Sequence, residues 1–448
     1  MYVPEIDGLL PVYVEDRYEG FEVKEFPRLD DRELERYLEL NVAAVGDVLQ
    51  VMGGAEAALA NHLVMGPAIL ARAGVPFAAK IHGSALSYTV RPHLGRFGPF
   101  AREGVDAART VLVGSHHTAG RLWETLFDES LPARTRLGPP GVDTEAFAPL
   151  PESEATSRLR ELGAAVRAAG GGAFGREVDD AGDAIDWLAE ARGPRVSFVG
   201  KLIVSKGPDL LVAAWPLVHR SHPGAKLLIA GFGAYRDPLE RLVGALSDGD
   251  ISQAREIARS GRELEGGPPG ALKILDGFLS EVEAEYVEAA RSAAGSIGFS
   301  GRLEHAEVAR LLPATDAMVI PSTFPEAFGM VAAEAAAAGV LPISAEHSGL
   351  AEVSEVLGAA MPPEERRLLS FQLDQDPIRA IAARLNDWLA LPKARRVEIG
   401  AQLALTVGKR WSWEQVARGV LAAAAGELDS LPAARPEQRR RADSGAEK

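Results

Sequence analysis

Residues Pro321–Gly339 read PSTFPEAFGMVAAEAAAAG, and this stretch decides the reading of the chain. A short apolar run, AMVIPS, exits into Phe324-Pro325-Glu326, after which Phe328-Gly329-Met330 opens an Ala-rich helix that Gly339 can stop as its C′ residue. Two carboxylates, Glu326 and Glu334, stand eight residues apart around the helix start. Eight helical residues rise ~12 Å, so the two side chains cannot grip one atom. They can grip the two ends of an extended ligand. Backbone N–H groups near Phe328–Val331 lie between them, and a helix start favours an anion. Hydroxyls at both ends and a phosphate in the middle describe a sugar nucleotide.

A blander account makes Glu326 a helix-start acid and Glu334 a solvated residue. The surroundings weigh against it, because VAAEAAAAG packs its small faces closely and a Glu in its middle needs a partner. The string resembles the E-x7-E segment of the retaining, nucleotide-sugar-dependent glycosyltransferases of family four, two-domain enzymes of the GT-B fold. Further stretches resemble that family in the same order. Val196–Gly207 (VSFVGKLIVSKG) is similar to the strand and loop whose Arg and Lys hold the donor diphosphate. Lys206 matches, whereas Lys201 stands where the family usually has Arg, which keeps the charge and loses the bidentate fork. Ala78–Ser84 (AAKIHGS) resembles the strand ending in the family's His, here His82. Ser115–Leu122, Pro140–Phe147, Ser348-Gly349-Leu350 with Glu352-Val353, and Arg410–Leu428 complete the likeness.

Composition narrows the class from outside. The chain has 448 residues, 47% hydrophobic and 25% charged, which suits a globular protein of two or more domains. A net charge of -15 argues against a nucleic-acid partner, which calls for a basic face. It also disfavours general adhesion to anionic lipid, so peripheral membrane contact is not indicated and only a local basic patch would supply it. With no Cys, disulfides, thiolate catalysis and Cys-ligated metal are excluded. No apolar run approaches the ~20 residues of a membrane span. The N-terminus, with early acids and no apolar core after basic residues, is no secretory signal, so the cytoplasm is the default location.

Alternating strand and helix signals predict an α/β protein with parallel sheets, whose ligands sit at the carboxyl ends of the strands. Asp30–Met52 reads as one amphipathic helix, followed by strands at Ala57–His62, Pro76–His82 and Thr110–Val113 and helices at Pro67–Ala73 and Thr118–Leu126. A second alternating unit starts at Arg195, with strands at Ala225–Ala230 and Asp316–Ile320. The expectation is two Rossmann-like domains facing across a cleft. An N-terminal, acceptor-side domain takes residues 1–147 and a linker with helices 148–194. The donor-binding domain takes 195–409 with a charged helical insertion at 246–295. A final helix, 410–428, packs back on the first domain and a disordered tail takes 429–448.

Three other motifs weaken on inspection. Gly231-Phe232-Gly233 after a strand starts a dinucleotide fingerprint, but Arg236 takes its third glycine position, leaving a flexible loop near the donor base. Asp248-Gly249-Asp250 has the form of a metal-dependent transferase motif, yet helix capping accounts for it better. His116-His117 lacks a third ligand and reads as solvated strand-end histidine.

The resemblance implies that Glu326 binds donor-sugar hydroxyls, Glu334 the ribose hydroxyls, and that His82 faces the reacting sugar from the other domain. Lys201, Lys206 and the amides near Phe328, Gly329 and Met330 would hold the diphosphate leaving group, with no metal and no cofactor. Transfer of a hexose-type sugar with retention to a small-molecule, glycan or lipid-linked acceptor would follow. A same-fold epimerase and a non-catalytic sugar-nucleotide-binding protein remain as alternatives. Family members also begin with a strand and a Gly-rich loop. Only 28 residues separate Gly54 from His82, too few for the family's intervening elements. Gly53-Gly54 is therefore expected to end the first helix, and the first domain to be incomplete at its N-terminus.

Overall fold

A computed structural model describes residues 4, 6, 8–13, 21–169 and 178–436. It divides into two compact units, Met1–Gly141 with Trp413–Lys448, and Val142–Ser412. Both are built on parallel sheets.

In the first unit, β1 (Leu9–Val12) and β2 (Glu22–Glu25) pair with each other. The main sheet is β3 (Leu59–Asn61), β4 (Ala78–Ile81), β5 (Thr110–Val113) and β6 (Thr135–Leu137), in that order. All four residues of β4 and of β5 are buried, as expected of strands covered on both faces. The helix Asp31–Met52 starts on a reciprocal capping box between Asp30 and Glu33. It stops at Gly53, whose φ of 74° suits glycine, so the glycine pair ends the helix as the sequence predicts. Among the described residues, no strand precedes β3 in the main sheet.

The predicted last helix, 410–428, is two pieces. One helix ends at Trp411 and another runs Trp413–Ala425. The second packs Ala423 and Ala424 against Ala78 and Leu112. Nor does a free tail begin after it. Leu137 N–H donates to Pro432 O at 2.8 Å, and Arg435 N–H donates to His116 Nδ1 at 3.0 Å. The chain therefore runs along β6, and His116 is a partner rather than a solvated side chain. Residues 437–448, including Arg439-Arg440-Arg441, lie outside the described set, as does Gly170-Gly171-Gly172.

The second unit's sheet contains β7 (Arg195–Val199), β8 (Lys226–Ala230), β9 (Ile297–Gly301), β10 (Ala317–Ile320), β11 (Leu341–Ala345) and β12 (Ser370–Phe371). Their order is β12-β11-β10-β7-β8-β9. Chain order runs outward in opposite directions from the neighbours β7 and β10, so the topological switch point lies between them. The helices Glu152–Ala168 and Val178–Ala189, expected in a linker, belong to this unit. Their Leu159, Leu162, Ile185 and Leu188 form a buried cluster with Leu228 and Ala230 of β8. Apolar burial, invisible as a local signal, moves the boundary to Gly141/Val142.

Candidate functional site

The loop leaving β7 carries Lys201 and Lys206, and the loop leaving β10 carries Glu326. Both sit at the carboxyl ends of the two strands flanking the switch point. Gly207 closes the first loop in a left-handed turn, where a Cβ would collide with Pro321 O. Thr323 N–H, at 2.9 Å, and Phe324 N–H, at 3.3 Å, donate to Ser205 O. The loops are thus laced together, and the Lys206 ammonium is ion-paired with Glu326 Oε1.

A ring of hydrogen bonds fixes Glu326. Its N–H donates to Ser348 Oγ at 2.8 Å, and Ser348 Oγ stands 3.0 Å from His347 Nδ1. His347 Nε2 stands 2.7 Å from Ser322 O, and the Ser322 hydroxyl returns to Glu326 Oε1 at 2.8 Å. Gly349 N–H donates to Glu326 O at 3.0 Å, and a Cβ on Gly349 would press into the Phe328 backbone. The loop around Ser348 therefore clamps the one around Glu326. His347 is the member that sequence reading passed over; its place beside Ser348-Gly349 was the available signal.

The helix Met330–Ala337 begins after Gly329, at φ 109°, and Gly339 stops it at φ 75°. The N–H groups of its first residues, Met330 and Val331, have no partner within the helix. Phe328 is 7% exposed and its ring packs edge-on against Trp411 at 5.2 Å, which leaves its backbone, the part expected to meet the diphosphate, for a ligand. Glu334 has the partner the sequence demands, since His305 Nε2 stands 3.0 Å from its Oε1. Burial raises the Glu334 pKa, and the hydrogen bond and charge of His305 pull the other way. His305 in turn lies 5.0 Å from the Phe147 ring. Nothing in the local sequence marked His305 as that partner.

Gly231-Phe232-Gly233 is pinned rather than flexible. Leu202 N–H donates to Phe232 O at 2.8 Å, and Cβ atoms on Gly231 and Gly233 would strike Gly200 O and Leu202 O. These glycines let β8's loop approach the lysine loop. Phe232 remains 37% exposed, with the Arg302 guanidinium 5.3 Å from its ring centre. Asp250 caps the helix Ile251–Ser260 by accepting from Gln253 N–H at 2.9 Å. Among the described residues, no three metal-ligating side chains gather.

In the first unit, His82 follows β4 and its Nε2 stands 3.2 Å from Asn61 Oδ1. His62 lies 4.7 Å away ring to ring, and Tyr13 lies 4.3 Å from His62 on its other side. Burial, then His62, then the buried Lys80 lower the His82 pKa to about 4. His82 is therefore a neutral imidazole at neutral pH. Asn61 and His62 went unread in the sequence, since only tertiary pairing of β3 with β4 brings them to His82, and Tyr13 reaches His62 from the end of β1.

This arrangement agrees with what the chain is similar to. Residues 280–397 match the family model described as glycosyl transferases group 1. The matched residues lie within the second unit. A glycogen synthase of Mycobacterium tuberculosis is 33% identical over 177 residues, 38% of this chain and 31% of that protein. A GDP-mannose-dependent alpha-(1-6)-phosphatidylinositol monomannoside mannosyltransferase of Mycolicibacterium smegmatis is 32% identical over 201 residues, 45% of this chain and 43% of that one. The chain thus spans less than half the length of these relatives. Anabaena Alr3699/HepE, solved in complex with UDP and glucose, shares the fold, with a TM-score of 0.53 at 15% identity over 94% of this chain and 92% of that one. No helix among the described residues is long and apolar enough to cross a membrane.

Proposed function

We propose that the protein is a retaining glycosyltransferase that takes a hexose-type sugar from a nucleotide-diphosphate donor, without a metal, and acts in the cytoplasm. The observation that carries this reading is the placement of Lys206 and Glu326 at the switch point, ahead of the helix start at Met330. Cleaving a sugar–phosphate bond puts negative charge on the departing diphosphate. Lys206 has three donors, so it can hold Glu326 and a phosphate oxygen together. Lys201 and the amides at Met330 and Val331 add preorganised positive potential, which usually supplies the largest catalytic term. Glu326, locked by Ser322 and Ser348, is placed to orient sugar hydroxyls. Glu334 is assigned the ribose hydroxyls, and Gly231 and Gly233 the approach to the donor base. His82, neutral, is assigned to the reacting sugar through the family resemblance. The resemblance also supports retention by front-face transfer.

The names of the relatives support a nucleotide-sugar donor, and the acceptor is left as a small molecule, glycan or lipid-linked glycan. The test is a thermal-shift screen of UDP-, ADP- and GDP-sugars, in which a donor at ~100 times its dissociation constant adds ~2.7 kcal/mol of stability. A shift with one donor family supports the reading; no shift with any of them counts against it. An assay of that donor for transfer, free sugar or epimer then separates transferase from epimerase and from a binding protein.

A further inference from the structure

The helical insertion between β8 and β9 reaches the site through one carboxylate. Glu265 ends a short 3-10 turn, Gly261–Glu265, and accepts a hydrogen bond from Val204 N–H at 2.7 Å. Its side chain is 8% exposed, so it is held for that contact rather than for solvent. Arg262 stands 3.2 Å from its other oxygen, and that guanidinium is 53% exposed. Gly261, at φ 57°, brings the turn back under Gly270, where a Cβ would collide with Gly270 O. The insertion thus forms a closed loop with the carboxylate at its tip.

Val204 opens the three-residue turn that ends in Lys206. Three successive residues of that turn are gripped by two segments, the insertion and the loop leaving β10. Glu265 takes the Val204 amide, Thr323 and Phe324 take the Ser205 carbonyl, and Glu326 takes the Lys206 ammonium. Two buried atoms of neighbouring segments, Asp209 Oδ1 and Tyr235 Oη, have no hydrogen-bond partner among the described residues. Burial pushes the Asp209 carboxyl up to about 7, and Glu265 adds to the rise. The Val204 amide has its partner from the insertion.

We infer that Glu265 is a positioning residue, through which the insertion sets the lysine turn so that Lys206 meets the donor diphosphate. The inference rests on the nucleotide-diphosphate reading above. A carboxylate accepting a backbone amide makes a charge-assisted bond, stronger than a neutral one and directional. Loss of it frees the turn without removing any group that touches ligand.

The test uses the full chain and the nucleoside diphosphate that shifts its melting point. Glu265→Ala is expected to weaken calorimetric affinity about 10-fold, the scale of one charge-assisted hydrogen bond. Glu265→Gln, whose carbonyl still accepts, is expected to bind within about 3-fold of wild type. In a Lys206→Ala background, the Glu265→Ala loss should disappear, because the turn then presents no ammonium to position. Equal affinity in wild type and Glu265→Ala, or an undiminished loss in the Lys206→Ala background, overturns the inference. Should Glu265→Ala not fold, Glu265→Asp, which retracts the oxygens by one methylene, is expected to weaken binding, and unchanged affinity there overturns it equally. Absence of binding by wild type to every nucleoside diphosphate refutes the underlying reading instead.

Discussion

Lys206 and Glu326, 120 residues apart in the chain, form one ion pair across the switch point of the second unit's sheet. With about a third of the Lys206 side chain exposed, the pair itself adds on the order of 1 kcal/mol or less to stability. Its importance lies in joining the cation assigned to the diphosphate with the carboxylate assigned to the sugar. Substitutions at the two positions should therefore leave the melting temperature nearly unchanged and alter ligand handling strongly.

Glu326→Ala is expected to lower transfer at least about 100-fold, the cost of losing orientation at a reacting centre. Affinity for the nucleoside diphosphate should survive, since the Lys206 ammonium then keeps all its donors for phosphate. Steady-state kinetics and calorimetry on the same preparation read both quantities. Near-normal turnover would remove Glu326 from the donor site.

Acid should destabilise the first unit through His82. Its folded pKa of about 4 lies below the ordinary 6.5, so the unfolded chain takes up a proton that the folded one refuses. The stability present above pH 6.5 is then lost as pH falls toward 4. His82→Gln should flatten urea midpoints across that window. An unchanged slope there would show that His82 does not carry the effect.

Glu334 titrates in the opposite sense. Burial raises its folded pKa above 4.5, so its contribution to stability is fully present below that value and is lost as pH rises through the raised one. His305 counteracts the rise. Replacing His305 by Ala should push the carboxyl further up and cost about 1–3 kcal/mol at pH 8, with a smaller loss at pH 4. A carbon-detected titration of the Glu334 carboxyl checks the direction; a fall in its pKa would contradict the pairing.

Transfer is expected to persist in excess EDTA, because charge on the leaving group is assigned to Lys201, Lys206 and helix amides. Complete loss restored by Mg²⁺ or Mn²⁺ would reassign that task to a metal.

Much of the second unit was readable because its signals are local. The apolar run into Ser322, the glycines at 329 and 339 and the lone Glu334 among alanines each state a backbone or burial requirement within a few residues. The same holds for Asp30 and Glu33 at the first helix. What escaped depends on contacts between distant segments. His305 supports Glu334, His347 closes the ring around Glu326, and Glu265 reaches Val204 from 61 residues away. Chemically, each is an ordinary surface-type residue until the fold gives it a neighbour. The helices 152–168 and 178–189 looked like linker because the partners of their apolar faces, Leu228 and Ala230 of β8 with Leu311 and Ala314, lie far off in the chain. The packing of the Phe328 ring against Trp411, just ahead of Gly329, was equally out of reach of a local reading.

Isothermal titration of UDP, ADP and GDP into wild type and Lys206→Ala, side by side, tests the central claim most directly. The account predicts that wild type binds at least one of the three, and that Lys206→Ala binds it about 10- to 100-fold more weakly, the scale of a lost charge-assisted contact. Equal affinity in the two proteins, or no binding by wild type, would contradict a diphosphate site at the switch point.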